Sequence, residues 1–410
     1  MKAVGIVVEY NPFHNGHAYH VQMAKQLTGA DVIVAVMSGS FLQRGEPAIV
    51  SKWSRTKMAL ENGVDLIIEL PYAFSTQQAS IFASGAVSIL EQLGVHYICF
   101  GSENGNIHLF LEAVKQKQMY QTQIGEEVRK RIKMGASYPK AMAETWNLIG
   151  KSQSVDLSQP NNILGFHYIE AIMNQKSSIV PITVPRIKSN YHDEEISSET
   201  IASATSIRKY ILAGDMEAAF SVMPEATCYH LQCYYETYHV FHDWEHYFPF
   251  LKYRLLTMNP ADLEQIYEVE EGLEYRLLSY IQASTSFSQF MQQIKSKRYT
   301  WTRLQRLCTH ILTGTTKKYM KQVMESPNTP YMRILGMSQM GQAYLSSVKK
   351  NVEVPILSNG KQTVHPLFEL DMRAGAIFAS ILPEPFRSDA IRTEKLQHPL
   401  RYNESKAIYL

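Results

Sequence analysis

Four cysteines in 410 residues, Cys99, Cys228, Cys233 and Cys308, are too few and too scattered for a disulfide framework. No run approaches the roughly 18 apolar residues of a membrane span. Met1-Lys2-Ala3-Val4 leads straight into a strand-like run, where a secretory signal would need an apolar core. A cytoplasmic protein with no membrane partner is therefore expected. A Ser-His-Asp order, a supported Cys-His pair and an HExxH helix are all missing, so neither a covalent nucleophile nor a demand for zinc is expected. Cys228, His230 and Cys233 lie close together with His239, His242 and His246 following. Their spacing matches no common zinc pattern and reads as aromatic and thiol packing. No internal repeat or low-complexity tract interrupts the chain.

Net charge is also scarce, at +2, but its distribution is uneven. Residues 211–250 hold no Lys or Arg and six acids. Between Met291 and Lys350 stand eleven basic residues against the single acid Glu325. Length allows two or three domains, since single cores seldom grow past about 250 to 300 residues. Strand-like apolar runs recur at Val4–Val8, Val32–Met37, Leu66–Leu70, Val95–Phe100 and Ile179–Val184, with helical patterns at Ala18–Leu27, Lys52–Asn62 and Gln77–Leu93 between them. Continuous apolar strands alternating with helices predict an α/β fold with a parallel sheet covered on both faces. A helical insertion spans roughly 106–173, broken at 158–162, and Ile201–Ala213 reads as a capped helix. From Met216 to Leu345 the pattern is mostly helical, and 351–382 returns toward α/β character. The expected division is 1–215 and 216–410.

The most informative local feature is His14-Asn15-Gly16-His17, placed between the first strand and the first helix. Two imidazoles at a helix N-terminus can face one anion, Gly16 admits a phosphate to the backbone, and the helix dipole adds positive potential. Open parallel sheets bind nucleotides at such a corner. Plain helix capping is the bland alternative. A second constellation, Ser203-Ala204-Thr205-Ser206-Ile207-Arg208, sets hydroxyls at a helix start with a guanidinium in its first turn, a cradle for outer phosphates. Phe100-Gly101-Ser102-Glu103-Asn104 follows the fourth strand, where Gly101 either admits a base or forms an ordinary turn. Asn162 and Arg186 sit in loops of the same region. The glycine-containing loop Ser38–Pro47 either closes over a second substrate or is a solvated turn. The inferred chemistry is attack on the α-phosphorus of ATP by a bound nucleophile, with the protein positioning the phosphates and magnesium (Mg2+) arriving with the nucleotide.

These elements resemble the HxGH nucleotidyltransferase superfamily, which implies a Rossmann-like parallel sheet followed here by a mostly helical, basic C-terminal region. Gly5–His17, Ser38–Lys57, Phe100–Asn104, Pro160–Gly165 and Ile201–Lys209 resemble the bacterial tRNA(Met) cytidine acetate ligase family across essentially the whole chain. The resemblance implies ATP-dependent formation of acetyl-adenylate from acetate. The acetyl group then passes to N4 of the wobble cytidine of elongator tRNA(Met). It implies that ATP is held by Val7, Val8, Glu9, Tyr10, Asn11, Pro12, Phe13, His14, Asn15, Gly16, His17 and His20, and by Gly101, Asn162, Arg186 and Ile187. The catalytic set would be His14, His17, Ser203, Thr205, Ser206 and Arg208. The acetate pocket and the general base for the cytidine amine carry no signature.

The basic stretch supplies an independent pointer to RNA. Lys295, Lys297, Arg298, Arg303, Arg306, Lys317 and Lys318 are interleaved with Tyr299, Trp301, Tyr319 and Tyr331, so charge can track phosphates while rings stack on splayed bases. A solvated face would mix signs. Two other classes stay open: a small-molecule adenylyltransferase or pantothenate-synthetase-like ligase, and a non-catalytic, nucleotide-sensing RNA-binding protein.

Overall fold

The computed structural model describes residues 1–149, 155–186, 202–270, 272–326, 328–361 and 365–410. Five strands, β1 (Ala3–Val8), β2 (Val32–Ser38), β3 (Leu66–Leu70), β4 (Tyr97–Ser102) and β5 (Val180–Pro185), pair in parallel in the order β5-β4-β1-β2-β3. They are the expected five, displaced by two residues at most. Their apolar runs lack polar alternation because both faces are covered. Along β2, Val32, Val34 and Val36 enter one core while Ile33, Ala35 and Met37 enter the other.

The first helix, Asn15–Thr28, starts three residues before the expected Ala18, because His14 is its N-cap. The insertion between β4 and β5 is four helices, Ile107–Met119, Gln121–Lys133, Tyr138–Ile149 and Pro160–Asn174. Two of them, Gln121–Lys133 and Tyr138–Ile149, are strongly amphipathic and pack against each other. The helix Ala204–Leu212 begins after Ser203, whose Oγ accepts the Ser206 N–H at 3.1 Å.

After residue 215 the chain is helical through Glu325 and then rejoins the sheet. The expectation of a mostly helical segment to Leu345 is overturned at β6 (Met332–Met337), every residue of which is buried. β6 runs antiparallel along β3, with Leu66 opposite Met337. Its other edge takes β7 (Ile356–Leu357) and β8 (Leu400–Asn403), and β9 (Ile408–Tyr409) pairs with β8. A six-residue strand inside a helical stretch offers too little pattern to stand out. The helices Trp244–Thr257, Leu273–Ile281, Phe287–Ile294 and Trp301–Thr313 bury their apolar sides in the same core as β2 and β3.

A buried ion cluster ties this return to the sheet. Lys52 Nζ lies 2.6 Å from Glu69 and 2.6 Å from Glu394, and Arg333 contacts Glu394 at 2.5 Å and Glu69 at 3.4 Å. Arg333, counted among the basic residues of the 291–350 stretch, is therefore an interior residue paired to β3 and to the helix Phe386–Leu396. Among the described residues, no helix is long and apolar enough to cross a membrane.

Candidate active site

A cavity of about 260 Å³ opens at the carboxyl ends of β1, β4 and β5. This is the crevice where open parallel sheets bind ligands. The His14–His17 corner forms one wall. His14 Nδ1 accepts the Gly16 N–H at 3.0 Å, and His17 Nδ1 accepts the His14 N–H at 3.3 Å, closing a reciprocal capping box. Capping and cavity lining therefore coexist. With Nδ1 accepting, the proton of each neutral ring belongs on Nε2, which becomes a donor.

Burial, with Arg186 and Arg208 nearby, lowers His14 to about 3, and burial first also holds His17 well below the ordinary imidazole range. His20, lowered to about 4 chiefly by burial, lines the same wall. All three are neutral at pH 7, so the corner attracts an anion through N–H dipoles and the helix N-terminus.

The helix Ala204–Leu212 presents its own N-terminus to the cavity. Ser203, Thr205 and Arg208 line it. Arg208 is steered by the Asn11 carbonyl at 3.1 Å and Glu46 at 3.0 Å. Ser206 does not reach the cavity: it is fully buried and its hydroxyl donates to the Ser203 carbonyl at 2.8 Å. Its place is in the cap.

Of the residues expected to hold the nucleotide, Val7, Val8, Glu9, Tyr10, Asn11, His14, Gly16, His17, His20, Gly101 and Arg186 line the cavity. Pro12, Phe13 and Asn15 shape the turn. Phe13 is fully buried, and the Asn15 N–H donates to Val222 O at 3.1 Å. Asn162 stands behind the wall, where its Oδ1 accepts the Glu103 and Asn104 N–H groups at 3.1 and 3.2 Å. Its neighbour Asn161 lines the cavity and accepts from Arg186 at 3.0 Å. A Cβ at Gly101 would meet nothing closer than 3.6 Å, so the wall's packing does not demand glycine there and leaves open a role for the occupant. Ile187 lies outside the described residues.

The loop 38–47 is no solvated turn. Phe41 and Leu42 are buried, Gly45 O accepts from Trp244 Nε1 at 3.0 Å and Thr309 Oγ1 at 2.7 Å, and Arg44 O accepts from Gln305 Nε2 at 3.0 Å. Gly45, at φ +79°, sits against the backbone of Arg306, where a Cβ would come within 2.6 Å. The loop thereby carries Gln43, Arg44 and Glu46 into the cavity wall. Tyr168 and Leu164, one helical turn apart in the helix Pro160–Asn174, and Phe82 supply apolar surface that no motif announced.

The HIGH Nucleotidyl Transferase family model matches residues 1–393. The chain is 52% identical over 403 residues to the tRNA(Met) cytidine acetate ligase of Anoxybacillus flavithermus, covering 98% of this chain and all of that one. It is 48% identical over 413 residues to the enzyme of the same name from Bacillus subtilis strain 168, covering both chains entirely. The chain belongs to the tRNA(Met) cytidine acetate ligase family. Crystal structures of Thermotoga maritima TmcAL, at 30% identity, superpose on it with TM-scores of 0.90 for an apo form and 0.89 for a form bound with alpha-thio ATP. Each covers 98% of this chain and all of the other.

Against that family background, the basic stretch divides in two. Lys295, Lys297, Arg298, Lys317 and Lys318 are exposed. Arg303, partly exposed, pairs with Glu270 at 2.8 Å and lies over the Tyr299 ring. Arg306 is only 8% exposed and bonds Glu268 at 2.8 Å, so its placement is that of an internal tie and not of an open phosphate contact. The rings expected to stack on bases divide likewise. Trp301 is 38% exposed, whereas Tyr331 is fully buried with its hydroxyl on Asp371 and Tyr299 is nearly so. Of the histidines in 228–246, His242 bridges the Tyr234 and Tyr247 hydroxyls in the interior and His230 bonds Glu61.

Proposed function

We propose that this chain is an ATP-dependent acetate ligase that acetylates N4 of the wobble cytidine of elongator tRNA(Met). One observation carries the reading: the His14–His17 corner and the Ser203–Arg208 helix start meet at a single cavity, in a chain similar over its full length to enzymes of that name. The alpha-thio ATP held by the Thermotoga maritima protein supports ATP as the co-substrate. His14 and His17 donate from Nε2 toward the phosphates. The two helix N-termini, with Ser203, Thr205, Arg186 and Arg208, stabilise charge that grows as the acetate oxygen attacks the α-phosphorus and pyrophosphate departs.

Magnesium enters with the nucleotide. Glu46 is committed to Arg208, and the phosphates and water supply the ion's ligands. Residues 1–215 carry the nucleotide chemistry. The region from 216 onward carries tRNA through Lys295, Lys297, Arg298, Lys317 and Lys318, with Trp301 as a stacking surface. A tRNA substrate places the protein in the cytoplasm.

The deciding experiment incubates the purified protein with ATP, magnesium and radiolabelled acetate, with and without bacterial tRNA, and analyses the nucleosides. Label in N4-acetylcytidine establishes the reading. Label that stops at acetyl-adenylate reopens the acceptor, and no acetate activation points to a different adenylyl transfer.

A further inference from the structure

Acetylation of an exocyclic amine releases a proton, and few of the described groups that line the cavity are able to take it. His14 and His17 have Nδ1 occupied by backbone donors, so the nitrogen left to each ring carries a proton already. His20 lies a turn further along the helix, toward the Cys99 backbone and Arg186 on the β4–β5 side, and burial keeps it a weak base, at about 4. Among the described residues, two carboxylates line the cavity, Glu9 and Glu46. Glu46 is bonded to Arg208. Glu9 stands just past the end of β1 on the opposite side, toward the 38–47 loop, where the Gln43 N–H donates to its Oε1 at 2.8 Å. That bond orients the carboxyl group and takes only one of its acceptor positions.

We infer that Glu9 receives the target cytosine: its carboxylate accepts a hydrogen bond from the N4 amine and takes the proton lost on acetylation. This rests on the acetate ligase reading above. A carboxylate accepting from N4 is the pairing that selects cytosine by its edge, and a base with a carbonyl oxygen at that position is repelled. In the step itself the N4 lone pair attacks the carbonyl carbon of acetyl-adenylate and an N–C bond forms. The C–O bond to phosphate breaks, its electron pair leaves on AMP, and the N4 proton passes to Glu9.

The surroundings suit a base. Burial raises the Glu9 carboxyl above its ordinary value and Glu46 adds to this, while the Gln43 N–H, Arg44 and Arg208 oppose it in part. Arg55, bonded to the Glu9 carbonyl at 2.7 Å, and Tyr168 in the same cavity are the other titratable neighbours. A raised carboxyl is the stronger base once ionised.

The test compares E9Q and E9D with wild type in two half-reactions. One is acetate-dependent exchange of pyrophosphate into ATP. The other is single-turnover acetyl transfer from preformed acetyl-adenylate to bacterial tRNA, followed over pH. E9Q should lose transfer by roughly 10²- to 10⁴-fold and exchange by less than about tenfold, and the acid limb of the transfer profile should vanish. E9D, which keeps a carboxylate, should recover part of the transfer rate together with that limb. Parallel loss of exchange and transfer, or transfer by E9Q that keeps the limb, overturns the inference. Should E9Q not fold, E9D transfer without an acid limb overturns it. A wild-type protein that activates no acetate fails the ligase reading itself, independently of either variant.

Discussion

The imidazoles of His14 and His17 lie stacked, 3.8 Å between centroids and 29° between planes, each with Nδ1 turned to a backbone N–H. Two imidazolium ions at that separation would repel each other. Burial keeps both rings neutral, so they face the cavity as a pair of fixed donors.

Replacing His17 with alanine removes one donor and opens the capping box. Acetate-dependent pyrophosphate exchange should fall about 10²- to 10³-fold, the effect of removing one preorganised donor. Affinity for tRNA, measured by filter binding, should stay near that of wild type. Undiminished exchange would refute the role given to this ring.

The two kinds of cation in the basic stretch should separate in a salt titration. Lys297→Ala with Arg298→Ala should weaken tRNA binding and lower the slope of log affinity against log salt by roughly 0.7 to 0.9 for each phosphate that is no longer neutralised. Arg306→Ala should leave the slope unchanged and destabilise the protein by about 3 kcal/mol, because Glu268 is then buried without its partner. Urea unfolding alongside the binding curves distinguishes them.

Glu394 answers both Lys52 and Arg333 in the cluster that ties the end of the chain to β3. Glu394→Ala leaves two buried cations to share Glu69, and the expected loss is about 3 to 5 kcal/mol. Equilibrium denaturation measures it. A loss below about 1 kcal/mol would mean that water reaches the cluster.

Several histidines are buried as neutral rings, and His310 is typical: its Nδ1 meets the Tyr72 hydroxyl at 2.9 Å, and burial lowers it to about 4. An unfolded imidazole takes its proton near about 6.5. Between those values the unfolded chain binds more protons, so stability falls as pH drops through the window and is unaffected by this group above it. His310→Gln should flatten that slope by one proton while lowering stability at neutral pH, as stability curves at several pH values would reveal.

Much of the site was legible in the sequence, because its parts are local. A strand, a tight turn and a capped helix bring Val7, Glu9, His14, His17 and His20 to one cavity within fourteen residues. Ser203, Thr205 and Arg208 fall within six residues at one helix start and arrive together. Asn161 lines the cavity while Asn162 braces the turn behind it, a distinction that a sequence pattern does not carry, since adjacent helical residues point about 100° apart. Gln43, Arg44 and Glu46 were ambiguous because their loop is buried by helices found some 200 and more residues later, through Trp244 and Thr309.

By itself the sequence determined the parallel sheet, the capped His14–His17 corner and the helix that meets it at the cavity, since hydrophobic period, capping and turn chemistry act over a few residues. Tertiary structure decided which charges are interior. A run of basic residues reads the same whether each cation meets water or a carboxylate. Lys52 meets Glu394 from 342 positions away and Arg306 meets Glu268 from 38, and only the folded chain brings such partners within hydrogen-bond distance and offsets the loss of their hydration.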